Sequence, residues 1–413
     1  MKIEVDTVKG FQDFLPFESL KRRAVKKIIE KNFQLYGFLP VETPIIEFDE
    51  IMREDNLEEN DQAISDRFRL KDRAGRNLGL RYEFTFQLAR IFKLNPTIKI
   101  PFRRYQIGEV FRDEPTGTGR FRQFTQCDID IVGDESVEAE LDCLLSVNSI
   151  LKELGIKAQI EINNRKLLSS IIESVEIKSS QFVMRELDKI LKIGEDDVKL
   201  NLRKYAETNQ IITLFKLLEK DVQFFKENKF DGAEELDSLI KLCKQQGIKV
   251  SFNPFMTRGL TYYTGNIFEV MQEGSKISIA GGGRYDKTIG KFLEKEIPAV
   301  GISFGLERVA EIASVEIKNK QVVIISLSKE SIARSFAKSL RESNVPCTIS
   351  FGKPGKALDY ANSYKIPYAV FIGDDEIKKK KFKLKDMNSG EEKLLSEERI
   401  IQFLSKNLYA EKE

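Results

Sequence analysis

The stretch from Phe102 to Gly133, FRRYQIGEVFRDEPTGTGRFRQFTQCDIDIVG, sets guanidinium, carboxylate, amide and aromatic side chains two residues apart. Arg112 and Glu114 precede the loop Pro115-Thr-Gly-Thr-Gly119, and Arg120, Arg122, Phe124, Gln126 and Asp130 follow it. Strand-like alternation flanks the loop, whose glycines permit turns closed to other residues, so a β-hairpin is predicted. Residues two apart on a strand share a face, which collects Arg120, Arg122, Phe124, Gln126 and Asp130. Guanidinium forks grip phosphate oxygens and a flat ring stacks on a base, so this face suits a nucleoside triphosphate. The same residues also fit a solvated sheet face crossed by surface ion pairs.

Four other segments carry side chains that suit chemistry. In LRYEFT, Glu83 and Thr85 face one way on an extended strand and offer an ammonium site, or Thr85 serves as N-cap of the helix that follows. In RGLTYYTG, Arg258 precedes Gly259, which allows close backbone approach, and the paired Tyr262 and Tyr263. In ISIAGGGRYD, a strand ends in three glycines that can admit a phosphate or simply turn the chain. In PAVGISFGLER, Gly305 is the pivot between a buried strand and a helix that carries Arg308 near its start. A cation there opposes the helix dipole unless an anion meets it.

The 413-residue chain has no histidine, which removes imidazole bases, Ser-His and Cys-His nucleophiles and His-ligated metal sites. Carboxylates, Arg, Lys, Tyr and backbone remain. That set can position substrates and neutralise charge in phosphate chemistry. Cys127, Cys143, Cys243 and Cys347 form no CxxC pair, so neither a zinc site nor a disulfide framework is expected and no metal ligand is assigned. Lys plus Arg (67) nearly cancels Asp plus Glu (65), so any nucleic-acid contact must come from local basic patches. No run of about 18 apolar residues occurs, and MKIEVDTVKGFQDF lacks the regions of a signal peptide, which predicts a cytoplasmic protein without membrane contact.

Around these residues the periodicities lay out the elements. A chain of this length exceeds one usual core, so two or three domains are expected. Phe17 to Tyr36 has helical spacing, and FLPVETPIIE after it reads as an extended segment serving either internal packing or a dimer surface. Residues 48 to 66 are acidic and loop-like. A hairpin is predicted around Asp72 to Gly75, a helix over Gln87 to Phe92, a helix from Ser136 as N-cap to Leu154, and a strand from Ile156 to Asn163. From Arg165 to Gly247 glycine and proline nearly vanish and apolar residues recur at helical spacing, which marks a helical insertion. Beyond Val322 the pattern alternates β-α-β-α-β, a small α/β domain whose tail bears the basic run Lys378 to Lys381 with Lys383 and Lys385. The expected division is 1–165 with 247–317, then 166–246, then 320–413.

Taken in order, these blocks resemble the class II aminoacyl-tRNA synthetases, and among them the histidyl-tRNA synthetases. The long helix with FLPVETPIIE is similar to the family's dimer-forming first motif, VFRDEPTGTGRFRQFTQCDIDIVG to its second and AVGISFGLER to its third. LRYEFT, RGLTYYTG and AGGGRYD resemble its histidine-specific marks. The resemblance implies an α+β catalytic domain on a mixed, mainly antiparallel sheet, a helical insertion and a C-terminal α/β anticodon-binding domain. It implies a homodimer that activates L-histidine with ATP and Mg²⁺ to histidyl-adenylate and transfers it to the 3′ end of tRNA(His). Arg112 would bridge the α-phosphate and the substrate carboxylate, Glu114 and Phe124 hold adenine, Arg120 and Arg308 grip the outer phosphates, and Arg258 lie on the α-phosphate. Glu83, Thr85 and Gln126 would bind the amino group. Asp130 and Tyr263 would take the imidazole nitrogens, with Tyr262 beside them. Thr125 stands where the family frequently has His, Thr261 where many members have Asp, and Asp130 where some have Glu. A catalytically inactive paralogue acting as regulatory subunit of ATP phosphoribosyltransferase is the alternative.

Overall fold

The computed structural model describes residues 5–52, 67–117, 119–258, 262–275, 277–293 and 295–409. The acidic stretch is thus covered only to residue 52, and Thr261 lies outside the described residues together with Gly259 and Leu260. The chain forms two compact units divided between Val315 and Glu316.

The first unit is built on an eight-stranded sheet. Its strands are β1 (Leu39–Pro40), β5 (Phe102–Phe111), β6 (Gln123–Val132), β7 (Ala158–Asn164), β8 (Val250–Phe252), β9 (Asn266–Gln272), β10 (Ser278–Arg284) and β11 (Ala299–Gly305). They lie in the order β1-β5-β6-β11-β10-β9-β7-β8, with parallel pairs at the two edges and antiparallel pairs between them, as the resemblance implied. A smaller antiparallel sheet holds β2 (Ile46–Phe48), β3 (Arg69–Lys71) and β4 (Asn77–Leu80) in the order β2-β4-β3, which includes the hairpin around Asp72.

The helix α1 (Pro16–Leu35) opens with proline in its first turn, where the missing N–H costs nothing, and buries Val25, Ile29 and Phe33. Those residues meet α3 (Val137–Glu153) over the odd-numbered face of β6, where Cys127, Ile129 and Ile131 are fully buried. Seven helices, α4 to α10, run from Arg165 to Gln245. Their buried residues, among them Leu167, Ile171 and Leu239, join the same apolar core.

Two local expectations change. Ser136 stands before α3 without capping it through its side chain; Asp134 Oδ1 instead accepts from the Ser136 amide at 2.9 Å and its hydroxyl at 2.6 Å. Gly281, Gly282 and Gly283 sit inside β10 rather than at its end; among the described residues a turn and a short 3₁₀ segment lie between β10 and β11.

The second unit has a five-stranded sheet in the order β13-β12-β14-β15-β16: β12 (Val322–Ser326), β13 (Cys347–Ser350), β14 (Tyr368–Ile372), β15 (Phe382–Asp386) and β16 (Glu392–Leu395). The first three are parallel, as the alternating pattern requires, and the last two add an antiparallel edge. Phe336 and Leu340 pack on one side with Ile400 and Leu404, while Ala357, Ala361 and Ile366 cover the other.

Candidate active site

The even-numbered face of β6 is buried without being apolar. Directly paired residues of neighbouring strands share a face, and the register draws rows across the sheet. One row runs Gln106, Asp128, Ser303, Gly281, Glu269; a second runs Arg104, Asp130, Gly301, Gly283. Glycine on this floor makes room for charged side chains. A Cβ on Gly281 would stand 1.9 Å from Arg258 Nη1, and one on Gly301 would stand 2.2 Å from Asp130 Oδ1. The close approach that glycine was expected to allow beside Arg258 thus also comes from the strand beneath it.

Three arginines converge at one end. Arg308 leaves α11 (Leu306–Ile312), donating from Nε to the Gly119 carbonyl at 3.1 Å and from Nη1 to the Ser278 carbonyl at 2.7 Å. Burial, and then the charges of Arg120 and Arg112, push its pKa down, which is the signature of cations gathered without enough anions. Glu114 sits between two of them, its carboxylate 3.8 Å from Arg112 and 3.5 Å from Arg120. Arg112 also donates to the Tyr82 carbonyl at 3.1 Å and to Gln126 Oε1 at 3.4 Å, and its guanidinium lies 5.2 Å from the centre of the Phe124 ring. Arg122, grouped with these by alternation, turns to Asp113 at 3.1 Å; β6 begins only at Gln123, so strand alternation does not govern it.

At the other end the polar side chains are buried. Glu83 accepts from the backbone amides of Thr85 at 2.7 Å and Phe86 at 2.8 Å, so it is Glu83, not Thr85, that caps α2 (Thr85–Leu94). Thr85 is the first helical residue. Burial pushes the Glu83 carboxyl up while those two amides pull it down. Gln126 donates to Ser303 Oγ at 2.8 Å and to Asp128 at 3.3 Å. Asp130 accepts the Tyr285 hydroxyl, and its Oδ2 lies 2.7 Å from Arg104 Nη2. Burial raises both aspartates, Asp128 to about 7, and Arg104 opposes the rise at each. Tyr262 stands edge-on to Phe86 at 6.1 Å and 4.8 Å from the Tyr263 ring, and Tyr285 closes the set 5.7 Å from Tyr262.

Arg258 adopts a left-handed backbone (φ 57°), uncommon for a side chain of its size, and pairs with Glu269 at 3.0 Å. At the far side of β6, Glu307 of α11 continues the ladder where β11 has ended: its carboxylate accepts from the Thr125 amide at 3.0 and 3.1 Å. Arg22 of α1 ion-pairs with Glu307 and donates to Thr125 Oγ1 at 3.0 Å. Thr125 is therefore held from behind, between Phe124 and Gln126.

Arg122 apart, the described candidates from the sequence lie on or beside one face of the sheet. Asp128, Ser303, Glu269, Tyr285 and Arg104 belong to it too. Asp128 could have been found, since it shares the parity of Gln126 and Asp130, and Tyr285 lies in AGGGRYD; the other three depend on cross-strand register, which no local pattern encodes. Among the described residues no group of three or more Asp, Glu or Cys side chains is arranged to hold a metal ion.

The comparisons with known proteins agree over the whole chain. Residues 10–309 match the family model described as histidyl-tRNA synthetase, and residues 321–407 that of an anticodon binding domain. The chain is 38% identical over 414 aligned residues to histidine–tRNA ligase 1 of Bacillus cereus, covering 94% of this chain and 95% of that protein. The crystal structure of histidyl-tRNA synthetase from Nostoc is 28% identical with a TM-score of 0.84, over 98% of this chain and all (100%) of that one. An ATP phosphoribosyltransferase regulatory subunit/histidyl-tRNA synthetase from Bacillus halodurans shares the fold at 18% identity, TM-score 0.73, over 87% of this chain and 97% of that one. With family models matched over residues 10–309 and 321–407 and a relative 38% identical over 94% of this sequence, the chain belongs to the histidyl-tRNA synthetase family of aminoacyl-tRNA ligases.

Proposed function

We propose that this protein activates L-histidine with ATP and transfers it to the 3′ end of tRNA(His). The observation that carries the reading is the continuity of one face, from the partly exposed arginine cluster through Phe124 to the buried Glu83 and Asp130. Arg120 and Arg308 hold the outer phosphates, Phe124 stacks on adenine with Glu114 beside it, and Arg112 spans the α-phosphate and the substrate carboxylate. Arg258 lies against the α-phosphate from the other side. Glu83, Thr85 and Gln126 receive the ammonium group. Asp130 and Tyr263 take the imidazole nitrogens, with Tyr262 as the adjoining wall.

A carboxylate oxygen of histidine attacks the α-phosphorus as the bond to the bridging oxygen breaks, and pyrophosphate leaves. A ribose hydroxyl of the tRNA then attacks the carbonyl carbon and AMP leaves. No side-chain nucleophile is needed, because the residues fix the in-line geometry and neutralise charge. Magnesium enters as the ion that accompanies ATP. Pocket groups left unpaired by a side chain without N–H donors supply the discrimination.

The reading extends to the whole chain. Residues 1–165 with 247–317 form the catalytic domain, 166–246 the insertion and 320–413 the anticodon-binding domain, acting in the cytoplasm. Exposed Leu35, Leu39, Ile45, Ile46, Phe48 and Leu70 support a homodimer through the end of α1 and the small sheet. Among the described residues no helix is long and apolar enough to cross a membrane. The experiment is pyrophosphate exchange: histidine-dependent exchange is expected, and folded protein that exchanges with no amino acid would leave the regulatory-subunit reading in its place.

A further inference from the structure

Arg104 has no part in the roles assigned above, yet it is 1% exposed on the same face of the sheet as Asp130. It stands opposite Asp130 in the β5–β6 ladder, with Nη2 2.7 Å from Oδ2 of that aspartate. The contact is an ion pair rather than an aligned hydrogen bond, and none of the three guanidinium nitrogens has an aligned hydrogen-bond partner among the described residues. Burial works against its charge; Asp130 and Asp128, then Tyr285 and Glu83, more than offset that. What Arg104 supplies at this place is therefore positive charge.

That charge faces two buried carboxylates, Asp130 and Asp128. Asp128 and Asp130 lie two residues apart on one buried face, and like charges so placed resist joint ionisation. The groups turned toward Asp130 are Arg104 from β5, Asp128 on its own strand and the Tyr285 hydroxyl after β10, with Cys143 of α3 behind the sheet; Glu83 faces Arg104 from the segment before α2. Arg104 is the cation among them.

We propose that Arg104 is a positioning residue for amino-acid specificity: its buried charge holds Asp130 as an ionised, immobile acceptor for an imidazole N–H. The inference rests on Asp130 as an imidazole partner. Replacing Arg104 would let Asp130 take a proton and turn from acceptor to donor on that oxygen, so histidine binding should weaken most at the acid end of the pH range.

The test compares Arg104→Met and Arg104→Lys in histidine-dependent pyrophosphate exchange between about pH 6 and pH 8. R104M is expected to raise the KM for histidine about tenfold or more, with the loss growing as pH falls, while the KM for ATP stays within about twofold. R104K, which keeps the charge, is expected to stay within about threefold of the original protein with its pH profile in place. The proposal is overturned if R104M leaves the histidine KM and its pH profile unchanged, if the ATP KM rises equally, or if R104K is as impaired as R104M. Should R104M not fold, R104Q is measured in its place with the same outcomes. Absence of exchange in the unaltered protein would overturn the proposed function, whereas exchange with an undisturbed R104M would overturn only this inference.

Discussion

The two faces of β6 are both buried and could hardly differ more. The odd-numbered face, Cys127, Ile129 and Ile131, is sealed by α1 and α3 through apolar contact. The even-numbered face, Gln126, Asp128 and Asp130, is sealed by partners of opposite charge and by hydroxyl and amide donors. Apolar packing is non-directional and stabilises in proportion to area, so the first face makes the sheet stand. Buried charges are costly unless matched, so the second adds little net stability and retains its polar groups for what they bind. One strand thus carries apolar packing on one side and, on the proposed function, chemistry on the other.

Substitutions on each side should separate these roles. Arg112→Ala should lower kcat of histidine-dependent exchange by about 10³-fold or more with a near-normal thermal midpoint, because on the proposed function it removes charge where the phosphate reacts. Loss of activity only in step with loss of fold would break the distinction. Ile129→Ala should do the reverse and destabilise the first unit by about 3 kcal/mol in urea unfolding, with KM values for ATP and histidine unchanged in the protein that remains folded.

Gly281→Ala probes the floor. The added methyl group would meet Arg258 and push it off the site, so exchange should fall by about 100-fold. Gly305→Ala, which meets nothing within 4 Å, should change activity little, and equal effects of the two would refute the close-approach argument.

The pH dependence of stability belongs to Asp128. Its carboxyl titrates near 7 in the folded protein, above its ordinary value of 3.8, so between those values the folded state keeps a proton that the unfolded chain releases. Its contribution to stability therefore falls as pH rises from about 4 to about 7, by at most about 1.4 kcal/mol per pH unit. Asp128→Asn should flatten that slope in urea titrations, and an unchanged slope would show that Arg104 already holds Asp128 ionised.

Much of this was legible before any fold was drawn. Period-two spacing in FTQCDID marks the strand and the shared face of Phe124, Gln126 and Asp130, and the resemblance of the ordered motifs led to the sites of Glu83, Arg112, Arg258 and Arg308. What local pattern misjudged has local causes. Alternation does not extend to Arg120 and Arg122, which lie before β6 begins, and the three glycines that suggest a phosphate site or a turn at a strand's end lie inside the strand as a flat floor. Thr85 was offered as a cap by residue type, yet a longer carboxylate two residues earlier reaches the free amides first.

By itself the sequence determined the periodicities, the motif order and, through the absence of histidine, a chemistry of positioning and charge. Only the tertiary structure decided that Arg104 faces Asp130, that Ser303 and Gln126 meet at Asp128, that Glu269 holds Arg258 and that Arg22 reaches Thr125 through Glu307. The physical reason is register. A strand pattern states which side a residue takes, but which residue of another strand stands opposite depends on how the whole sheet is aligned, and a shift by one residue would exchange every partner.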